Sequence, residues 1–196
     1  MNTTPLIVTD RLIFRQFTPS DVEALFMILS DNEVNTFLPM FPLNNIEEAE
    51  IYINEYYLKK YNKPTGYHYA ICLKSDNVPI GYANVSDNES YDFGYGLKKE
   101  FWHKGIVTEA SKAVIEQLKK DGVSYITATH DVNNPRSGAV MKNIGMTYKY
   151  SYEEQWQPKE ILVTFRMFQL NLDGQDNRIY MEYWDRYSVH YVEENI

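Results

Sequence analysis

The chain has 196 residues, 44% of them hydrophobic and 23% charged, proportions that exclude a disordered or fibrous protein. That length suits one domain burying roughly two-thirds of its unfolded surface and is too short for two comfortable ones, so a single domain over residues 1–170 is expected, followed by a tail over 171–196. Nineteen basic against 27 acidic residues leave a net charge of −8 with no basic run, which argues against nucleic acid as a partner and favours a cationic substrate.

The first ten residues, MNTTPLIVTD, contain no charged segment followed by an apolar one, and no run of about 18 apolar residues occurs anywhere. No membrane association is predicted, and a cytoplasmic protein is expected. Leu12 to Phe17 reads as a strand. Thr18-Pro19-Ser20-Asp21 then supplies an N-cap with proline at the first helical position, and Val22, Leu25, Phe26 and Leu29 follow at core-facing helical spacing. A second helix is predicted from Ile46 to Tyr61, with Glu47 and Glu48 at its positive end and Lys59 and Lys60 at its negative one.

Three strands come next, Tyr67 to Leu73, Ile80 to Ser86 and Tyr91 to Leu97, joined by the turn-rich stretches SDNVP and SDNES. Cys72 is the only cysteine, which excludes an internal disulfide, and four scattered histidines without an HExxH pattern predict no metal site. The order then becomes helix (Ile106 to Lys120), strand (Ser124 to His130), helix (Pro135 to Ile144) and strand (Met146 to Glu153). A last strand from Ile161 to Leu170 pairs back on it. This order predicts an α+β, mixed-sheet domain with helices on both faces, in which a crossover helix joins Tyr91–Leu97 and Ser124–His130 in parallel. In the tail, Tyr180, Tyr183, Trp184 and Tyr187 are spaced as one aromatic face of a helix, suited to packing on the domain or on a second subunit in a homodimer.

One junction carries chemistry. In EFWHKGIVTEA an apolar approach ends in His103-Lys104-Gly105 just where a helix begins. Basic residues raise the positive potential that a helix start already has, as though an anion from outside were to be held there. The triphosphate-binding pattern GxxxxGK[ST] is absent. Gly94-Tyr95-Gly96 fails as a dinucleotide fingerprint because Lys99 stands where the third glycine belongs.

The stretches TDRLIFRQFTPSDVEAL, PIGYANV, YDFGYGLKKEFWHKGIVTEA and NNPRSGAVMKNIGM, in this order and spacing from Thr9 to Leu170, resemble the GNAT superfamily of N-acetyltransferases. Within it they are similar to the RimJ/RimL-like branch that acetylates ribosomal-protein N-termini. The resemblance implies a central, mostly antiparallel sheet splayed at one parallel strand pair, with acetyl-CoA as cosubstrate and no metal. Trp102, Gly105 and Val107 fall on the defined positions of the acyl-CoA motif. Val107 replaces a small residue and His103 a frequent glycine, which predicts a narrower loop or a φ below zero at His103.

By the same resemblance, the amides of His103, Lys104, Gly105, Ile106, Val107 and Thr108 cradle a pyrophosphate, and backbone groups of Leu97 and Lys98 bind the pantetheine arm and polarise the thioester carbonyl. Asn134 and Ser137 match the NxxS pattern. Asn134 caps its helix or holds the arm, and Ser137 donates a hydrogen bond to the departing sulfur. His130 and Asp92 are the candidate bases for the attacking amine. The acceptor is expected between the Phe37–Leu43 loop and the Tyr152–Lys159 hairpin. It is either a peptide N-terminus or a small-molecule amine, and the length of the acyl group is left open. A non-catalytic CoA-binding module with an aromatic tail for assembly or sensing is the alternative.

Overall fold

The computed structural model describes residues 4–62, 66–194 and 196. Its first sheet is antiparallel throughout, in the order β1 (Ile7–Val8), β2 (Leu12–Arg15), β3 (Tyr67–Leu73), β4 (Pro79–Val85) and β5 (Phe93–Leu97). β3 is central and nearly all buried, because helices cover both faces. Phe14, Tyr69, Ile71, Val85, Phe93 and Leu97 pack on α4 (Ile106–Lys120), which presents Ile106, Ala110, Val114 and Leu118 at i, i+4 spacing. Ala70, Cys72 and Tyr82 point the other way, onto α1 (Val22–Leu29) and α3 (Ile46–Ile53).

Two predicted helices differ in detail. Pro19–Asp21 forms a 3-10 turn ahead of α1, held by the Asp21 carboxylate, which accepts from Thr18 N–H at 2.7 Å and pairs with Arg15 at 2.7 Å. The helix expected to run to Tyr61 leaves α geometry after α3, continuing as a π-helical turn (Asn54–Leu58) and a 3-10 turn (Lys60–Asn62). The wider turn carries Tyr57 inward, where its buried ring lies 4.3 Å from that of Phe17. A short α2 (Asn32–Asn35), capped by Asp31 through the N–H groups of Glu33 and Val34, precedes the Phe37–Leu43 loop.

The second sheet is also antiparallel, in the order β6 (Tyr125–Asp131), β8 (Ile161–Asn171), β7 (Thr147–Trp156) and β9 (His190–Tyr191). α5 (Pro135–Asn143) follows β6 and packs on the α4 side. The tail forms only a short helix, α6 (Glu182–Arg186), because the chain turns to pair β9 with Ser151 and Tyr152 of β7. Tyr183 and Tyr187 nevertheless lie flat against Tyr152, at 5.3 and 4.7 Å between ring centres, and Trp184 meets Tyr150 edge-on. Tyr180 meets Tyr183 edge-on at 5.2 Å and reaches on toward Tyr125.

α4 joins β5 to β6 in parallel, and the two strands touch at a single bridge, Asp92 opposite Thr127. Thr127 Oγ1 fastens it by donating to Ser90 O at 2.9 Å. Beyond that bridge the sheets part.

Candidate active site

Hydrogen-bond parity defines the walls of the gap. Ser86 N–H donates to Asp92 O and Lys98 N–H to Ile80 O, so the even-numbered residues of β5 bond to β4 and the odd ones, Phe93, Tyr95 and Leu97, turn their backbone groups to the gap. On β6, Leu172 N–H donates to Ser124 O and Val132 N–H to Thr164 O, which leaves Thr127, Thr129 and Asp131 facing β5. The expectation for Lys98 is therefore corrected: its N–H is bound within the sheet. Leu97 O accepts from Trp102 Nε1 at 2.8 Å, and Leu97 N–H points into the gap.

At the open end lies the start of α4. Gly105 takes φ 70°, the left-handed region that glycine enters without strain, and only Arg11 comes within 4 Å of where its Cβ would be. His103 also sits at φ 59°, so of the two expectations, a narrower loop or a negative φ, the second is not met; the loop keeps a glycine-like turn at a side-chain cost of about 1 kcal/mol or more. The first bond inside the helix runs from Glu109 N–H to Gly105 O, so the N–H groups from Gly105 to Thr108 aim outward at its positive end. Lys104 Nζ lies 5.5 Å over the Phe101 ring, and the Arg136 guanidinium lies 5.7 Å over Trp102.

Glu109 keeps its carboxylate ionised in this positive turn. Burial pushes its pKa up, but hydrogen bonds from Thr9 (2.6 Å) and Arg11 (2.7 Å) bring it below the ordinary value. Arg11 also donates to Lys104 O at 3.0 Å and so braces the loop from β2. Sequence reasoning missed Arg11, since 93 residues separate it from Lys104.

Asn134 caps α5 through Ser137 N–H at 3.4 Å. The Ser137 hydroxyl lies 3.0 Å from the Tyr95 hydroxyl, which also donates to Ser137 O at 3.1 Å. Burial pushes Tyr95 up to about 12 while Ser137 acts to lower it, so the phenol keeps its proton. Tyr95 too was missed, though DFGYGL places it opposite Asp92 in face.

The two candidate bases part company. His130 shares its parity with Ile126 and Ala128 and faces the helices. Its ring packs 5.5 Å from Phe168 and beneath Gly138, where a Cβ would come within 2.6 Å of Nε2. Nδ1 is bound to Asp131 O at 2.8 Å, and burial lowers its pKa. It is thus a packed histidine turned away from the face that carries Asp92, and its expected role as base is corrected. Asp92 is pushed up to about 7 by burial, and its Oδ1 is sealed with no hydrogen-bond partner among the described residues.

Asp92, Gly94 and Gly96 point to the face opposite Tyr95 and Ser137. A Cβ on Gly94 would meet nothing within 4 Å. Of the side chains in the loop and hairpin expected to receive the acceptor, Tyr152 lies on this face, Met40 packs on the α1–α3 core, Trp156 meets Phe165 edge-on and Phe41 is exposed. Lys159 at the hairpin tip donates to Asn35 O (2.7 Å) and Thr36 O (3.2 Å), which ties the second sheet to α2, and Lys99 pairs with Glu33 of the same helix. No helix is long and apolar enough to cross a membrane, and no group of three or more metal-ligating side chains occurs among the described residues.

Against known families, the pattern described as the acetyltransferase (GNAT) domain matches residues 11–147. YoaA of Bacillus subtilis (strain 168), described as an uncharacterised N-acetyltransferase, is 29% identical over 146 residues, covering 72% of this chain and 82% of that protein. Among solved structures, the microcin self-immunity acetyltransferase MccE, in complex with acetyl-CoA and AMP, superposes with a TM-score of 0.74 at 19% identity over 87% of this chain and 98% of its own. RimL, a ribosomal alpha-N-protein acetyltransferase in complex with coenzyme A, superposes with a TM-score of 0.74 at 18% identity over 86% and 99%.

Proposed function

The chain belongs to the GNAT acetyltransferase family, and we propose that it moves an acetyl group from acetyl-CoA to a primary amine by direct attack, without a covalent enzyme intermediate. Acetyl-CoA supplies the acyl group as a thioester. The residues fit it: the outward N–H groups from Gly105 to Thr108 suit a pyrophosphate, the bare approach at Gly105 lets it come close, and the edges at Tyr95 and Leu97 suit an extended arm.

The observation that carries the reading is the division of proton-handling groups between the two faces of β5. On one face Ser137 Oγ and Tyr95 OH hold protons as a hydrogen-bonded pair, placed to stabilise a leaving sulfur. On the other, Asp92 titrates near neutrality and can accept a proton from an entering amine. A thiol of reference pKa about 8.5 needs a hydrogen bond rather than a strong acid, so a phenol and a hydroxyl suffice. The test is a pair of measurements: acetyl-CoA affinity by calorimetry, and CoA-thiol release against peptides and small amines. Micromolar binding with amine-dependent release is expected; tight binding with no release for any amine refutes transfer.

A further inference from the structure

Asp92 is not the only sealed side chain on its face. Asn84 stands directly opposite Gly94 across the β4–β5 pair, and its Oδ1 is also sealed, with the side chain of His68 against it, while its amide nitrogen reaches toward Tyr57 OH at 3.5 Å. Asn84 and Asp92 are therefore diagonal neighbours on adjoining strands, with the bare backbone of Gly94 beside both. His68, paired with Asn84 on β3, is pushed down to about 4 by burial, which outweighs its side-chain hydrogen bond with Asn84, and it stays neutral there. Burial alone accounts for the displaced titration of Asp92, and no cation among the described residues offsets its charge. Beside it stands an aromatic wall: Tyr152 of β7 and Tyr183 of the tail, stacked at 28°, both lie within the field of the Asp92 carboxyl.

We propose that the C-terminal segment completes the acceptor subsite, and that the acceptor is an unbranched alkyl primary amine. Its ammonium is shared by Asp92 and Asn84 above Gly94, and its first methylenes lie along Tyr152 and Tyr183. This rests on the reading that the amine enters from this face. A sealed carboxyl oxygen without a partner, beside an amide oxygen met only by His68, calls for a ligand with several N–H donors, and a cation offsets the desolvated carboxyl as a neutral donor cannot. Ring faces attract both an ammonium and the alkyl chain behind it. A peptide N-terminus fits less well, because the carbonyl oxygen after its α-carbon would add a further acceptor to a place already holding sealed ones.

The experiment uses the full chain, isotope-labelled for carboxyl and amide NMR, titrated with n-butylammonium or with alanylalanine amide. Acetyl-CoA affinity is measured separately. Butylammonium should move the Asp92 carboxyl resonance saturably and bind more tightly than the dipeptide. Asn84→Leu and Tyr183→Ala should each weaken it at least about tenfold, the loss of one contact to a charged group, and leave acetyl-CoA affinity within about twofold. Gly94→Val, which suits a strand, should abolish amine binding and guards against misfolding of the other variants. Preference for the dipeptide, or butylammonium binding indifferent to all three substitutions, overturns the subsite. Failure to bind acetyl-CoA would overturn the transfer reading instead.

Discussion

Replacing Asp92 by asparagine should stabilise the protein, and by more as the pH rises. A carboxyl that titrates near 7 in the fold and at its ordinary value when unfolded binds extra protons only when folded. Its favourable contribution is therefore complete below the unfolded value and is lost as pH climbs toward 7. The full loss is about 4 kcal/mol, of which roughly 2–3 kcal/mol falls between pH 5 and 8. Because Asp92 is partly exposed although one oxygen is sealed, solvent trims that to roughly 1–3 kcal/mol. Asparagine keeps the shape and cannot ionise, so subtracting the wild-type curve from that of Asp92→Asn removes every other titrating group. Urea denaturation at half-unit steps from pH 5 to 8 measures the difference, which should widen with pH and flatten above about 7, with melting temperatures diverging by roughly 2–10 °C. A difference constant across this range would show that the fold does not hold Asp92 out of water, and with that its case as a base near neutrality would fail.

Ser137→Ala and Tyr95→Phe should each lower turnover with an amine about 10–100-fold, the effect of one hydrogen bond to a developing charge, without changing acetyl-CoA affinity in calorimetry. Gly105→Glu should abolish acetyl-CoA binding, since it places a negative side chain at a left-handed position on the phosphate approach; retained micromolar affinity would contradict the loop assignment. Arg11→Met should weaken acetyl-CoA binding several-fold by releasing the Lys104 carbonyl and leaving Glu109 without its cation, read by calorimetry alongside hydrogen exchange in the loop. Gly138→Ala should cost about 1–3 kcal/mol in denaturant, because the added methyl must displace His130 or lift α5.

Where local pattern and burial coincide, the sequence was sufficient. α4 runs from Ile106 to Lys120 as its apolar spacing predicts, and β3 keeps its expected bounds because Gly66 precedes it and the turn-forming Ser75-Asp76-Asn77 follows closely. The RimL-like motifs located the junction at Gly105 for the same reason: a left-handed glycine before an amphipathic helix is a local signal. Pairings between distant segments left no such trace. Arg11 and Tyr95 act through partners 93 and 42 residues away, so although both stand in stretches that carry the resemblance, nothing local names what they touch. His130 could have been read better: its parity with Ile126 and Ala128 already places it against the helices. The tail misled because aromatic residues at 180, 183, 184 and 187 suit a helix and a stacked wall equally, and the pairing of His190 with Tyr152 decided between them.

Two sheets that share a single rung make a molecule with one mechanical weak line. Each sheet is laced internally by its own ladders, whereas among the described residues the two strand systems meet beside β5 through the Asp92–Thr127 bridge, the Ser90 clasp, the bond from the Tyr125 hydroxyl to Glu89 O and the edge-on rings of Tyr91 and Tyr125. Strain applied to the molecule will gather at that seam before either half loosens, so amide exchange should be fastest along the flanks of the seam and slowest inside β3 and β8. Anything lodged lengthwise in the opening acts as a splint across it.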